Sequence, residues 1–137
     1  MQGYIHKVNY YETDKMGIVH HSNYIRFMEE ARMQYLDDIG VSMKSIEALG
    51  ITSPVVSVDC NYKHPCTYGD EIGIAVKVKQ YTGVKLKLFY EMRNTHSDVV
   101  VATASSEHCF IDSTGKPVAV KKSIPQLDKV LNQLKSS

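Results

Sequence analysis

The stretch TDKMGIVHHSNYIRFMEEAR, residues 13 to 32, sets a carboxylate, a glycine and two adjacent imidazoles directly before a run with helical spacing. Asp14, in a loop ahead of a helix, can act as nucleophile on an acyl carbon or as general base for a water. The start of a helix presents N–H groups without intrahelical partners and the positive end of the macrodipole, so a carbonyl oxygen gathering negative charge there is stabilised. In a known hydrolase, loss of one such donor costs on the order of 3 kcal/mol, enough to matter in acyl transfer. Gly17 either lets the backbone approach a ligand or takes a conformation closed to other residues.

Each of these residues also has a plainer reading. Asp14 can end a strand in an Asx-type turn. Ser22 and Asn23 are both of the types that cap helices. His20 and His21, with His64 and Cys66 far along the chain, raise the question of a metal; adjacent histidines are expected to point apart, and no conventional ligand spacing follows. Glu29 and Glu30 offer a helix-borne carboxylate, with Glu30 as a reserve base. Otherwise they are expected to be solvated or paired with Arg26 and Arg32.

Several elements must position these groups. Residues 3 to 10 suit a first strand, broken by the polar stretch holding Asp14 and Gly17. From Ser22 to Ile39, Tyr24, Phe27, Met28, Ala31 and Tyr35 recur at helical spacing, and Gly40 is a natural stop. Ile25 and Leu36 lie off that stripe, which predicts a helix embraced on more than one side. Residues 42 to 49 suit a short second helix. The period then changes to two: Val56, Val58, Cys60 and Tyr62 share one face, as do Ile72, Ile74, Val76 and Val78, and Val84, Leu86, Leu88, Tyr90 and Met92. These read as strands with one buried face, joined by hairpins at 80 to 83 and 95 to 98 and followed by a strand in VVVATASSEHCFID. A last helix over about 123 to 135 has Ser123 as N-cap, Pro125 in its first turn and a stripe of Leu127, Val130, Leu131 and Leu134. A helix of ~18 residues spans ~27 Å, close to the ~30 Å of a nine-residue strand. An antiparallel sheet with a single apolar face needs a cover, and a curved sheet wrapped around the one long helix supplies it economically, with a ferredoxin-like arrangement as the alternative that the pattern leaves open.

Composition narrows the function classes. The 137 residues are 43% hydrophobic and 23% charged, which suits one globular domain over 1–137. Sixteen Lys plus Arg against fifteen Asp plus Glu leave a net charge of +1 without a basic block, so a nucleic-acid partner is not expected. Without an apolar run of signal or membrane-span length, a cytoplasmic protein is expected. Cys60, Cys66 and Cys109 are odd in number and lack CxxC spacing, which points to reduced thiols rather than a disulfide framework.

The first stretch resembles the signature of hotdog-fold acyl-CoA thioesterases of the 4-hydroxybenzoyl-CoA thioesterase and YbgC type, matching at Asp14, Gly17, Ile18, Val19, His21, Asn23 and Tyr24. A second motif, YKHPCTYGDEI at 62 to 72, is similar to that family's turn between the second and third strands, with Pro65, Gly69, Asp70 and Ile72 in place. The resemblance covers about residues 3 to 130 and implies an α+β hotdog fold. It implies hydrolysis of an acyl-CoA or acyl-carrier thioester without metal or organic cofactor. Asp14 would be the carboxylate, a backbone N–H near His21 the oxyanion donor, and the His21 imidazole an aid in orienting the carbonyl or water. Gly17, Val19, His20, Asn23 and Tyr24 would line the substrate site. A thioester suits so sparse an apparatus, because a thiol of pKa ~8.5 leaves as thiolate without a strong general acid. Lys77, Lys79, Lys85 and Lys87 share outward faces of neighbouring strands, where Lys85 and its neighbours meet coenzyme A phosphates or simply form a solvated face. The arginine pair that some members carry around Thr82 and Gly83 is missing. The family implies a homodimer with the site at the interface, and pairing of dimers into tetramers. The alternatives are a non-catalytic acyl-CoA-sensing module and, on the same fold, an acyl-thioester dehydratase.

Overall fold

The computed structural model describes residues 3–135. β1 (Tyr4–Lys7) leads into a single 3-10 turn (Tyr10–Glu12), then α1 (Ser22–Asp38), α2 (Met43–Ala48), β2 (Val55–Tyr62), β3 (Glu71–Tyr81), β4 (Lys85–Asn94), β5 (Val100–Cys109), α3 (Val120–Ser123) and α4 (Pro125–Leu134). The strands make one five-stranded sheet in the order β1-β3-β4-β5-β2. β1 runs antiparallel to β3, with Tyr4 opposite Ile74 and Lys7 opposite Glu71. β3, β4 and β5 follow one another through short turns closed by Thr82 N–H to the Lys85 carbonyl and Asn94 N–H to the Val99 carbonyl, the way antiparallel neighbours are joined. The expected α+β class, with its long helix ahead of a run of antiparallel strands, is present.

By backbone proximity the chain divides into two compact units, one holding the chain through Tyr35 with Asp59–Val76 and Tyr90–Ala104, the other Leu36–Val58, Lys77–Phe89 and the chain from Ser105 onward. In the first, α1 buries Tyr24, Phe27, Met28 and Ala31 at the expected spacing, and Ile72, Ile74, Tyr90 and Met92 are buried on their strands. In the second, Ile46 of α2, Leu86 and Leu88 of β4, and Leu127 and Leu131 of α4 are buried.

The structure departs from the sequence reading at several places. The first strand stops at Lys7, because Glu12 N–H returns to the Asn9 carbonyl and the Glu12 carboxylate accepts the Asn9 N–H, closing a turn where a longer strand was expected. Ile25 is 46% exposed, so α1 is not covered there, although Leu36 is buried. Ser123 does not cap the last helix: its N–H bonds the Ala119 carbonyl at the end of α3, and Ile124 is the N-cap before Pro125. Ile124 has φ −139° and ψ 71°, outside the helical region that a residue before proline avoids. The largest departure is β2, whose expected buried face is open: Val56 is 57% exposed and Tyr62 51%. β2 is an edge strand of the sheet, and alternation marks which side chains can be covered without supplying the cover.

Candidate active site

The loop between the 3-10 turn and α1 is a tight hairpin. Thr13 bridges Val19, Asp14 N–H donates to the Ile18 carbonyl (2.8 Å), and Gly17 N–H returns to the Asp14 carbonyl (2.9 Å). Gly17 has φ +79°, in the left-handed region that glycine enters freely, and a Cβ there would meet open space. Of the two roles open to Gly17, conformation is the one its backbone displays. Asp14 does form the Asx-type turn: its Oδ1 accepts the Met16 N–H at 2.8 Å. Its other carboxylate oxygen has no partner among the described residues. The turn fixes the side chain without consuming it.

The second motif is brought against the first. Val19 N–H donates to the Cys66 carbonyl at 2.9 Å, and Ile18 bridges Thr67. Asp70 holds the turn by accepting both the amide and the hydroxyl of Thr67, while Gly69, at φ +87°, donates its N–H to the Val8 carbonyl. A cavity of about 370 Å³ opens between the two motifs, lined by Asp14, Met16, Ile18, Val19, His21 and Tyr24 on one side and by Tyr62, Lys63, His64 and Pro65 on the other. Tyr24 and Tyr62 meet edge to face with ring centroids 5.0 Å apart, and the Tyr62 hydroxyl donates to the His21 carbonyl at 3.3 Å. The Tyr24 hydroxyl donates to Cys66 Sγ (3.6 Å); burial pushes the Cys66 thiol up, and it pushes the Tyr24 phenol up far more.

At the start of α1, Ser22 N–H meets His20 Nδ1 (3.2 Å), Asn23 N–H donates to the His20 carbonyl and Tyr24 N–H to the His21 carbonyl. His21 N–H has no acceptor among the described residues. The first open donor of the helix therefore belongs to a residue that lines the cavity beside Asp14. The two imidazoles do not point apart as expected. They stack at 4.2 Å, because they lie in the turn ahead of the helix and His20 is held by Ser22 Oγ at 2.8 Å. Among the described residues no group of three or more His, Cys, Asp and Glu could hold a metal.

Of the residues singled out from sequence, Asp14, Val19, His21 and Tyr24 meet in the cavity, and Gly17 shapes its loop. His20 is exposed and outside the lining. Asn23 is 7% exposed and its Nδ2 donates to the Glu12 carbonyl at 2.9 Å, so it is neither an N-cap nor a wall of the cavity. Lys85 is exposed at the head of β4 in the second unit and is not among the lining residues. On the neighbouring strands Lys77 and Lys79 stand over the Phe89 ring at 5.8 and 5.7 Å, and Lys87 faces Glu107 at 3.9 Å. Glu30 does not pair with Arg26 or Arg32; it accepts from Tyr4 and faces His6. Sequence reasoning did not select Tyr62, Lys63 or His64 as walls, nor the buried pair of His6 and Glu12. The last had a signal, a glutamate three residues after Asn9 in the pattern of a capping box.

The chain is similar in sequence and in fold to known proteins. The sequence pattern of the thioesterase-like superfamily matches residues 8–134. The chain belongs to that superfamily. It is 34% identical over 119 residues to YneP of Bacillus subtilis (strain 168), provisionally named an acyl-CoA thioesterase, covering 87% of this chain and 86% of YneP. The crystal structure of a DHNA-CoA thioesterase from Staphylococcus aureus superposes with a TM-score of 0.91 at 30% identity, covering 95% of this chain and 87% of that one. A crystal structure of the Aquifex aeolicus protein AQ1494 superposes with a TM-score of 0.83 at 34% identity over 96% of this chain and 98% of that one. The fold is the hotdog fold of these thioesterases, and the chain is a hydrolase of their kind.

Proposed function

We propose that the protein hydrolyses acyl-CoA thioesters to a carboxylic acid and coenzyme A, with Asp14 as the reacting carboxylate. The observation that carries this reading is the meeting, in one cavity, of a carboxylate with an open oxygen and a helix start whose His21 N–H is unclaimed among the described residues. The thioester carbonyl oxygen takes up negative charge at the His21 N–H as the acyl carbon is attacked. Asp14 either attacks directly, leaving a mixed anhydride that water then hydrolyses to the carboxylic acid and free Asp14, or takes a proton from the water that attacks; in either case the carbon–sulfur bond breaks and the thiolate departs, to be protonated by solvent. The His21 imidazole borders the same space and orients the carbonyl or water. No metal or organic cofactor enters the reaction, and an acyl-carrier protein could present the same thioester. The names of the relatives support the substrate class.

The open face of β2 supports a homodimer. Val56, Val58 and Tyr62 are all exposed on an edge strand, where a second copy would bury them and satisfy the strand edge. Tyr62 also lines the cavity, so the partner would stand beside the site, and pairs of dimers would form the tetramer. A cytosolic setting fits three cysteines that form no disulfide. Among the described residues no helix is long and apolar enough to cross a membrane.

The test is thiol release from a panel of short, long and aromatic acyl-CoAs followed with a thiol-reactive dye. Turnover of any of them supports hydrolysis. If no thiol is released while an acyl-CoA still raises the melting temperature, the cavity is a binding site and the protein an acyl-CoA sensor.

A further inference from the structure

We infer that Glu12 is a positioning residue for the loop that carries Asp14 and His21, acting through a buried carboxylate that His6 and the Asn9 amide hold in place. This rests on the thioesterase reading above. Glu12 and His6 are each only 7% exposed. Glu12 Oε1 accepts the Asn9 N–H at 2.7 Å and faces His6 Nε2 at 2.9 Å. The other side of the imidazole faces Glu30 Oε2 at 3.4 Å, and the Tyr4 hydroxyl donates to that same oxygen at 2.5 Å. Phe27 packs against the imidazole with centroids 4.2 Å apart. Four polar side chains, from β1, the 3-10 turn and α1, thus form one connected set.

Burying a carboxylate and an imidazole is costly, and an apolar pair of the same volume would often serve stability as well. What an apolar pair would not do is fix the direction of the Glu12 carbonyl. That carbonyl accepts twice, from the His20 N–H at 2.9 Å and from Asn23 Nδ2 at 2.9 Å. His20 and Asn23 flank the open N–H of His21, and the hairpin holding Asp14 begins at the next residue, Thr13. The buried carboxylate therefore sets the backbone from which both reacting groups hang. Misplacement of such groups by about 1 Å can cost on the order of a hundredfold in rate.

The experiment compares Glu12→Gln and Glu12→Ala with the parent in two readouts, steady-state acyl-CoA hydrolysis and amide hydrogen exchange. Gln keeps an oxygen that accepts from Asn9 and His6, so near-parent kcat and exchange are expected. Ala removes it: kcat should fall about tenfold or more with KM within about twofold, and amides of residues 13 to 24 should exchange faster while those of β4 keep parental rates. Parental kcat and exchange in Glu12→Ala would overturn the proposal, as would equal losses in both variants. If Glu12→Ala does not fold, Asn23→Ala, which removes one of the two bonds to the carbonyl, should show the same split, and parental behaviour there would overturn it. If the parent itself releases no thiol, the thioesterase reading fails and exchange alone decides: faster loop exchange in Ala with parental Gln upholds the anchoring, and unchanged exchange rejects it.

Discussion

Asp14 shows how the plain role of a residue leaves room for the chemical one proposed for it. One carboxylate oxygen holds the turn that positions the side chain, and the other is left for the cavity. Asp14, Val19, His21 and Tyr24 were legible because a contiguous motif carries them. Tyr62, Lys63 and His64 were not, because they arrive from the other motif and their place depends on the Val19 to Cys66 backbone bond, which no local pattern encodes. Cys66 makes a prediction at this scale. It is fully buried, and burial holds its thiol above the ordinary range, so at neutral pH less of it is thiolate and the reagent has no access. Cys60 is also raised, by a burial that is only partial. Labelling with a disulfide reagent at pH 7.5, read by mass spectrometry, should modify Cys109 before Cys66, which reacts only when denaturant opens the fold. Early modification of Cys66 would contradict the buried placement.

Among the elements, α1, β3, β4 and α4 could be read from the period of their apolar residues, and Ile72, Ile74 and Val78 of β3 and Leu86, Leu88, Tyr90 and Met92 of β4 are buried where alternation puts them. The misreadings lie where a local bond outcompetes the pattern. Glu12 closes a turn that cuts β1 short, and the peptide before Pro125 moves the cap from Ser123 to Ile124. α4 is a test of what the pattern did reveal: Leu131 is fully buried at the centre of its stripe. Leu131→Ala should lower unfolding free energy by about 2–5 kcal/mol, measured by urea denaturation at fixed protein concentration. The exposed Leu134→Ala should cost far less, and equal losses would show that α4 does not pack through this stripe.

For the whole molecule, the sheet order explains why β2 was misread. A strand with valines at alternate positions looks covered, yet on this edge strand the face that carries them is exposed. The proposed dimer turns that into a measurement. Sedimentation at micromolar concentration should give a dimer or tetramer, and Val56→Lys with Val58→Lys should shift it to monomer. A parent that sediments as monomer, with full hydrolysis, would remove the second copy from the account.

The superfamily and the fold set the class of reaction, and the claim that remains central is that Asp14 carries it. The direct measurement is kcat/KM for Asp14→Asn beside the parent on the best acyl-CoA of the panel, with melting temperatures recorded for both. Asn keeps an oxygen for the Met16 N–H, so the turn should survive while the reacting carboxylate is lost. A loss of about a hundredfold or more at a nearly unchanged melting temperature is expected. Activity within about threefold of the parent, in a variant that folds as well, would contradict it and move the chemistry to another group in the cavity.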